Sequence, residues 1–120
     1  MLRRQTPQVQ LLATLLDGEA LAIGDLTLTE ILQGIDTDLE FAHAVRQFDA
    51  FPVIAIGGSI IATQAARNYR FLRARGITIR KTIDTLIATR CIEDGHALLY
   101  SDRDFDPFVE HLGLVSAMAE

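Results

Sequence analysis

Three acidic side chains fall at the starts of helices that the sequence predicts, where carboxylates can converge. Glu30 follows Thr27 at the spacing of a capping box. Asp84 lies in the first turn of a helix that begins at Thr82, and Asp102 follows an apolar strand directly. Converging carboxylates repel one another unless a cation lies between them, and hard oxygen ligands suit Mg²⁺ or Mn²⁺. The chemistry that such a group supports is phosphodiester hydrolysis by a metal-activated water.

Each acid also has an ordinary structural interpretation. A capping box would account for Glu30, and an N-cap role would account for Asp102. Asp84 is the least easily explained, because the apolar residues Ile87, Ala88 and Cys91 follow it at spacings of three, four and seven. Asp84 therefore lies at the N-terminal end of the apolar face that this helix is expected to bury. Burying a bare carboxylate costs on the order of several kcal/mol unless a cation or strong donors meet it.

Alternating helices and strands position these acids. The predicted helices cover Pro7–Leu16, Thr27–Gly34, a segment capped by Asp36 that runs to Ala50, Ser59–Arg75, Thr82–Asp94 and Asp102–Glu110. The predicted strands cover Ala20–Gly24, Phe51–Ile56, Ala97–Tyr100 and Leu114–Ala117. Strands that are apolar throughout indicate a mostly parallel sheet covered by helices, an α/β fold. In such sheets the functional residues collect at the carboxyl ends of the strands.

Composition and net charge limit the classes of protein to which this sequence can belong. The 120 residues predict one domain, and 16 acids against 11 bases give a formal charge of −5, which argues against binding nucleic acid through a diffuse basic surface. A single cysteine excludes an internal disulfide, and no apolar run reaches membrane-spanning length. We therefore expect a cytoplasmic protein with no membrane partner.

Three motifs make the chain resemble the PIN-domain family, and within it the VapC toxins of bacterial toxin–antitoxin pairs. The motifs are LTEILQG at 28–34, TIDTLIA at 82–88 and SDRDF at 101–105. They occur in the family's order, and the resemblance covers nearly the whole chain. It implies a PIN-like three-layer sandwich and an Mg²⁺- or Mn²⁺-dependent endoribonuclease. Glu30 is similar to the family's second acid, Asp84 to its third and Asp102 to its fourth, with Asp104 as a further metal ligand.

The resemblance also implies partners: an RNA substrate, a second copy in a homodimer, and a small VapB-like antitoxin that occupies the active-site groove. Arginines on the long helix lead to Arg80 and Lys81, just before Asp84. These basic residues predict either a solvated helix face or a track for phosphates. The candidate RNA-binding residues are Arg73, Arg80, Lys81 and Arg103.

One part of the family's pattern is missing. The first strand of such domains reads roughly Val-Asp-Thr/Ser-Ser-Val, carries a principal metal ligand, and lies between the strands predicted at Ala20–Gly24 and Ala97–Tyr100. No segment of this sequence matches it. We therefore expect residues 1–120 to be a single, N-terminally incomplete PIN-like domain with a gap in the middle of its sheet, and in-frame upstream codons that encode the strand.

Two other functions compete with a ribonuclease. A catalytically inactive PIN remnant would retain dimer or antitoxin binding after losing hydrolysis with its first Asp. A phosphoacceptor domain of the doubly wound kind would also gather acids around Mg²⁺. That class requires a late lysine, and none follows Lys81 in this sequence.

Overall fold

Five strands form one sheet in a computed structural model of the chain, which describes residues 13–16, 20–100 and 102–117. They are β1 (Ala13–Leu16), β2 (Ala20–Gly24), β3 (Val53–Ile54), β4 (Ala97–Leu99) and β5 (Val115–Ser116), in the order β3-β2-β1-β4-β5. β2 pairs parallel with β3 and β4 pairs parallel with β5, while β1 runs antiparallel to both β2 and β4. Apart from β1, the strands of this sheet therefore share one direction, which confirms the predicted α/β class.

The helices follow the predicted order. They are α1 (Asp25–Gln33), α2 (Asp38–Phe48), α3 (Ser59–Ala74), α4 (Thr82–Asp94) and α5 (Asp106–Leu112), with a short 3₁₀ helix at Arg103–Phe105 before α5. α4 has its predicted bounds and ends at Gly95 in the left-handed conformation, φ 76°. The predicted cap Asp36 is wrong: α2 is capped by Thr37, which is extended and accepts a hydrogen bond from the Glu40 amide at 3.1 Å.

The first predicted helix is wrong where it can be compared. Ala13–Leu16 form strand β1, and residues 7–12 lie outside the described part of the chain. β1 occupies the position between β2 and β4, so the central gap expected from the sequence is not present in the described sheet. A short apolar run fits a helix or a buried strand equally well. Pairing on both sides decides the outcome, because it satisfies the backbone groups of both neighbouring strands.

The core gathers around α4, which packs on α3 and β4. Ile87, Ala88 and Cys91 are buried, so the predicted apolar stripe is confirmed, and Cys91 is a core residue. Leu72 from α3 and Leu98 from β4 belong to the same cluster. This packing fixes the helix that carries Asp84 at its start.

Polar contacts also hold α4 in place. Asn68 on α3 donates from Nδ2 to Thr89 Oγ1 at 2.9 Å, and both residues are buried. Arg90 donates to the carbonyl oxygens of Ile56, at 3.3 Å, and Gly57, at 2.9 Å, in the segment after β3. None of the helices in the described ranges is long and apolar enough to cross a membrane.

Candidate metal centre

Three aspartates meet where α4 begins and where the chain leaves β4. Asp84, Asp102 and Asp104 each offer a carboxylate oxygen, and these oxygens lie within 4.8 Å of one another. Asp84 is buried, and Asp102 and Asp104 are half-buried. Opposite ligands of an Mg²⁺ ion lie about 4 Å apart, because each stands about 2 Å from the metal. The three side chains would therefore need only small movements to share one ion.

Asp84 has the most unusual environment of the three. It is 3% exposed, and its Oδ2 atom is buried without a hydrogen-bond partner among the described residues. Burial raises the pKa of Asp84 from 3.8 to about 6; Lys81 opposes this, and the charges of Asp102, Asp104 and Glu30 raise it further. Buried polar atoms are nearly always paired. A buried carboxylate oxygen beside two further carboxylates has the donor chemistry that a hard divalent cation fits.

Asp102 shows both features that the sequence presented as alternatives, a helix cap and a position among clustered acids. Its Oδ1 accepts a hydrogen bond from the Asp104 amide at 2.8 Å and so caps the 3₁₀ helix Arg103–Phe105. The predicted N-cap is thus confirmed, and the same residue belongs to the three-aspartate group. The cap holds the turn that carries Asp104. Asp104, which the sequence suggested only as a further ligand, belongs to the same group of three carboxylates as Asp84.

Glu30 lies apart from the three aspartates. It is exposed on α1 and is not a member of the group whose oxygens lie within 4.8 Å, although its charge contributes to the raised pKa of Asp84. The capping-box interpretation of Glu30 is wrong. α1 begins at Asp25 with Gly24 as its N-cap, and Thr27 is buried inside the helix. The capping interaction that would have explained Glu30 is therefore absent at this helix start.

The candidate RNA-binding residues divide into two groups. Arg80 pairs with Asp104, with its Nη2 at 3.1 Å from Oδ2, and Lys81 precedes α4 close enough to lower the pKa of Asp84. Arg103 is exposed in the 3₁₀ helix, between Asp102 and Asp104 in sequence. Arg73 lies on α3, where its guanidinium carbon stands 5.4 Å from the centre of the Tyr69 ring. Arg80 and Lys81 are thus brought to the acidic group, whereas Arg73 contacts an aromatic ring of its own helix.

The Arg80–Asp104 pair was not foreseen from the sequence. The two residues are 24 positions apart, on either side of α4 and β4. No local pattern connects them. Their meeting depends on how the turn after β4 packs against the start of α4, where α4 and the 3₁₀ helix are in contact.

The fold and the site together define an α/β protein with a three-carboxylate candidate metal centre. Curated proteins similar to this chain include VapC ribonuclease Mb1587 from Mycobacterium bovis and ribonuclease VapC11 from Mycobacterium tuberculosis. Each is 32% identical over 88 residues, which is 73% of this chain and 66% of the relative, just under two thirds of the relative's length. No protein-family model matches the chain. The similarity supports the resemblance to VapC toxins that the three motifs indicated.

Proposed function

We propose that this chain is a VapC-type, PIN-like ribonuclease, the toxin component of a type II toxin–antitoxin system, which hydrolyses RNA phosphodiester bonds with Mg²⁺ or Mn²⁺. The observation that carries the proposal is Asp84: a buried carboxylate with an oxygen that no described residue contacts by a hydrogen bond, grouped with Asp102 and Asp104 within 4.8 Å. The similarity to proteins named VapC ribonucleases supports the reaction class.

In this proposal Asp84, Asp102 and Asp104 hold the cation, and Glu30 adds negative charge from α1. A bound Mg²⁺ or Mn²⁺ would supply an activated water and would offset charge on the scissile phosphate. Asp84 must be ionised to act as a ligand, and its pKa of about 6 leaves it mostly ionised at neutral pH. Activity is therefore expected to fall as the pH drops through 6, because protons then compete for the ligand oxygen.

The basic residues at this site would bind the RNA backbone. Arg80 and Arg103 present planar guanidinium groups that match phosphate oxygens in a bidentate manner, and Lys81 adds a point charge at the start of α4. Arg73 would extend this surface along α3. Because the whole chain is acidic, these few residues would supply the local positive potential that RNA requires.

A VapB-like antitoxin and a second copy of the chain are the proposed protein partners, in the cytoplasm. Apolar side chains on α2 support a protein contact, since Leu39 is 79% exposed and Phe41 is 43% exposed. Leu39 also lines a groove of about 570 Å³ beside the end of α1 and along α2. Exposed apolar surface beside a groove is typical of protein contact sites.

An inactive remnant remains the second candidate, and one observation favours it. β1 lies between β2 and β4, where the family's first strand is expected, and its residues Ala13, Thr14, Leu15 and Leu16 include no carboxylate. A site that depends on a carboxylate from this strand would be incomplete. Such a protein would keep the antitoxin and dimer contacts without hydrolysing RNA.

Cleavage of RNA by the purified chain distinguishes the two functions. We expect cleavage of an end-labelled RNA in Mn²⁺ that EDTA stops and that Asp84→Asn reduces at least a hundredfold. Asp49→Asn, at an exposed position after α2, is the matched control and should cleave normally. Folded protein that binds Mn²⁺ without cleaving RNA would support the remnant. Cleavage that persists in EDTA would refute the metal-dependent mechanism.

A further inference from the structure

An ion pair at the rim of the three-aspartate group joins a proposed cation ligand, Asp104, to a proposed RNA-binding residue, Arg80. Arg80 Nη2 lies 3.1 Å from Asp104 Oδ2 and 3.4 Å from Oδ1, so one nitrogen contacts both oxygens. The Arg80 side chain is 74% exposed, and that of Asp104 is 21% exposed. Ion pairs this exposed contribute little to stability and exchange readily with solvent. The pair can therefore open without disturbing the fold.

Asp104 is shared between Arg80 and the group that would hold a cation. The guanidinium offsets part of the negative charge that Asp84, Asp102 and Asp104 accumulate. The same guanidinium repels a divalent ion that approaches Asp104. Arg80 and a cation would therefore compete for the same negative charge, and each would weaken the attraction of the acidic group for the other.

We propose that Arg80 is a displaceable clasp, which pairs with Asp104 while the acidic group holds no cation and transfers to an RNA phosphate once the cation is bound. This inference rests on the proposed function, because it assigns a step in cation and RNA binding to a residue of that site. A bound cation would supply the positive charge that Arg80 otherwise supplies, and it would repel the guanidinium. A phosphate then offers Arg80 an acceptor that fits its planar fork.

The clasp predicts opposite effects of one substitution on two ligands. Removing the Arg80 charge should strengthen cation binding, because a competitor is lost, and should weaken RNA binding, because a phosphate contact is lost. A static ion pair predicts only the stronger cation binding, because the loss of any nearby positive charge has that effect; the weaker RNA binding is what the transfer of Arg80 to a phosphate adds. Arg80→Lys distinguishes the effect of the charge from that of the guanidinium geometry. Lysine keeps the repulsion toward the cation but cannot make the bidentate phosphate contact.

The test measures Mn²⁺ binding to the full chain without RNA, from the loss of the free Mn²⁺ electron paramagnetic resonance signal. Arg80→Gln should lower the Kd for Mn²⁺ by roughly threefold to tenfold, the order expected for one partly exposed charge near the ion. Arg75→Gln, at an exposed arginine after α3 that stacks on Phe71, is the matched control and should bind Mn²⁺ like the unaltered chain. Thermal melts check that each variant is folded.

RNA binding is measured separately, from the fluorescence anisotropy of a cleavage-resistant 2′-O-methyl oligonucleotide in Mn²⁺. Arg80→Gln and Arg80→Lys should both weaken it several-fold. Unchanged or weaker Mn²⁺ binding in Arg80→Gln, or unchanged RNA binding, overturns the clasp. An unaltered chain that binds no Mn²⁺ overturns the clasp together with the metal centre. If both affinities shift as expected but no RNA is cleaved, the clasp holds and the proposed reaction alone fails.

Discussion

Replacing Asp84 with Asn should stabilise the metal-free protein, with a magnitude that depends on pH. The pKa of Asp84 is raised from 3.8 to about 6 in the folded chain, so folding costs more when the carboxylate is ionised. Below pH 4 Asp84 is protonated and does not lower the free energy of unfolding. That free energy falls as the pH rises through 6 and the carboxylate ionises. At 1.36 kcal/mol per pKa unit, the loss amounts to about 3 kcal/mol at pH 7 and about 1 kcal/mol at pH 4.5. Asn has nearly the same shape and carries no charge, so it avoids this cost.

The assay is urea denaturation of both proteins in EDTA at several pH values. The stability advantage of Asp84→Asn should grow by about 2 kcal/mol between pH 4.5 and pH 7. Saturating Mn²⁺ should reverse the order, because it stabilises only the protein that binds it well. A stability advantage that stays constant with pH, or a variant that is less stable at pH 7 in EDTA, would refute the argument that burying the ionised Asp84 carboxylate destabilises the fold.

Two further predictions concern the helix that carries Asp84. Gly95→Ala should destabilise the fold by about 1 kcal/mol, because Gly95 has φ 76° while an added Cβ meets no atom of the described residues within 4 Å. Gly57→Ala, equally uncrowded and without a positive φ, should be neutral in the same urea titration; equal midpoints for the two variants would contradict the reasoning. Asn68→Ala and Thr89→Val should each cost about 1 to 3 kcal/mol, and the double variant should cost less than their sum. A double-mutant cycle without coupling would show that their 2.9 Å hydrogen bond is unimportant for stability.

α4 shows what local sequence signals can predict. The stripe of Ile87, Ala88 and Cys91 gives its buried face, Gly95 gives its end, and both agree with the structure. Because helical spacing fixes which residues share a face, the same pattern also places Asp84 in the interior. The burial of Asp84 therefore follows from helical periodicity, and its need for a compensating partner follows from the cost of burying a carboxylate.

Contacts between distant segments do not follow from local patterns. Asp104 lies in an acidic run that is also typical of a solvated loop, and only the packing of that turn against α4 brings it to Asp84. The helix predicted over β1 is wrong for a related reason. The four residues of β1 carry no periodicity long enough to distinguish a strand from a helix, and pairing with β2 and β4 determines their conformation.

The position of β1 has a consequence for how the chain reaches its folded state. β1 and β2 are neighbours in sequence and can associate early, whereas β4, on the other side of β1, comes much later in the chain. Non-local strand pairing is slow because a long loop must close first. During synthesis the β1 edge that will receive β4 has no partner among the described strands until β4 has left the ribosome. An open edge of this kind pairs readily with other chains, so the nascent protein is expected to depend on chaperones or on slow expression to avoid aggregation.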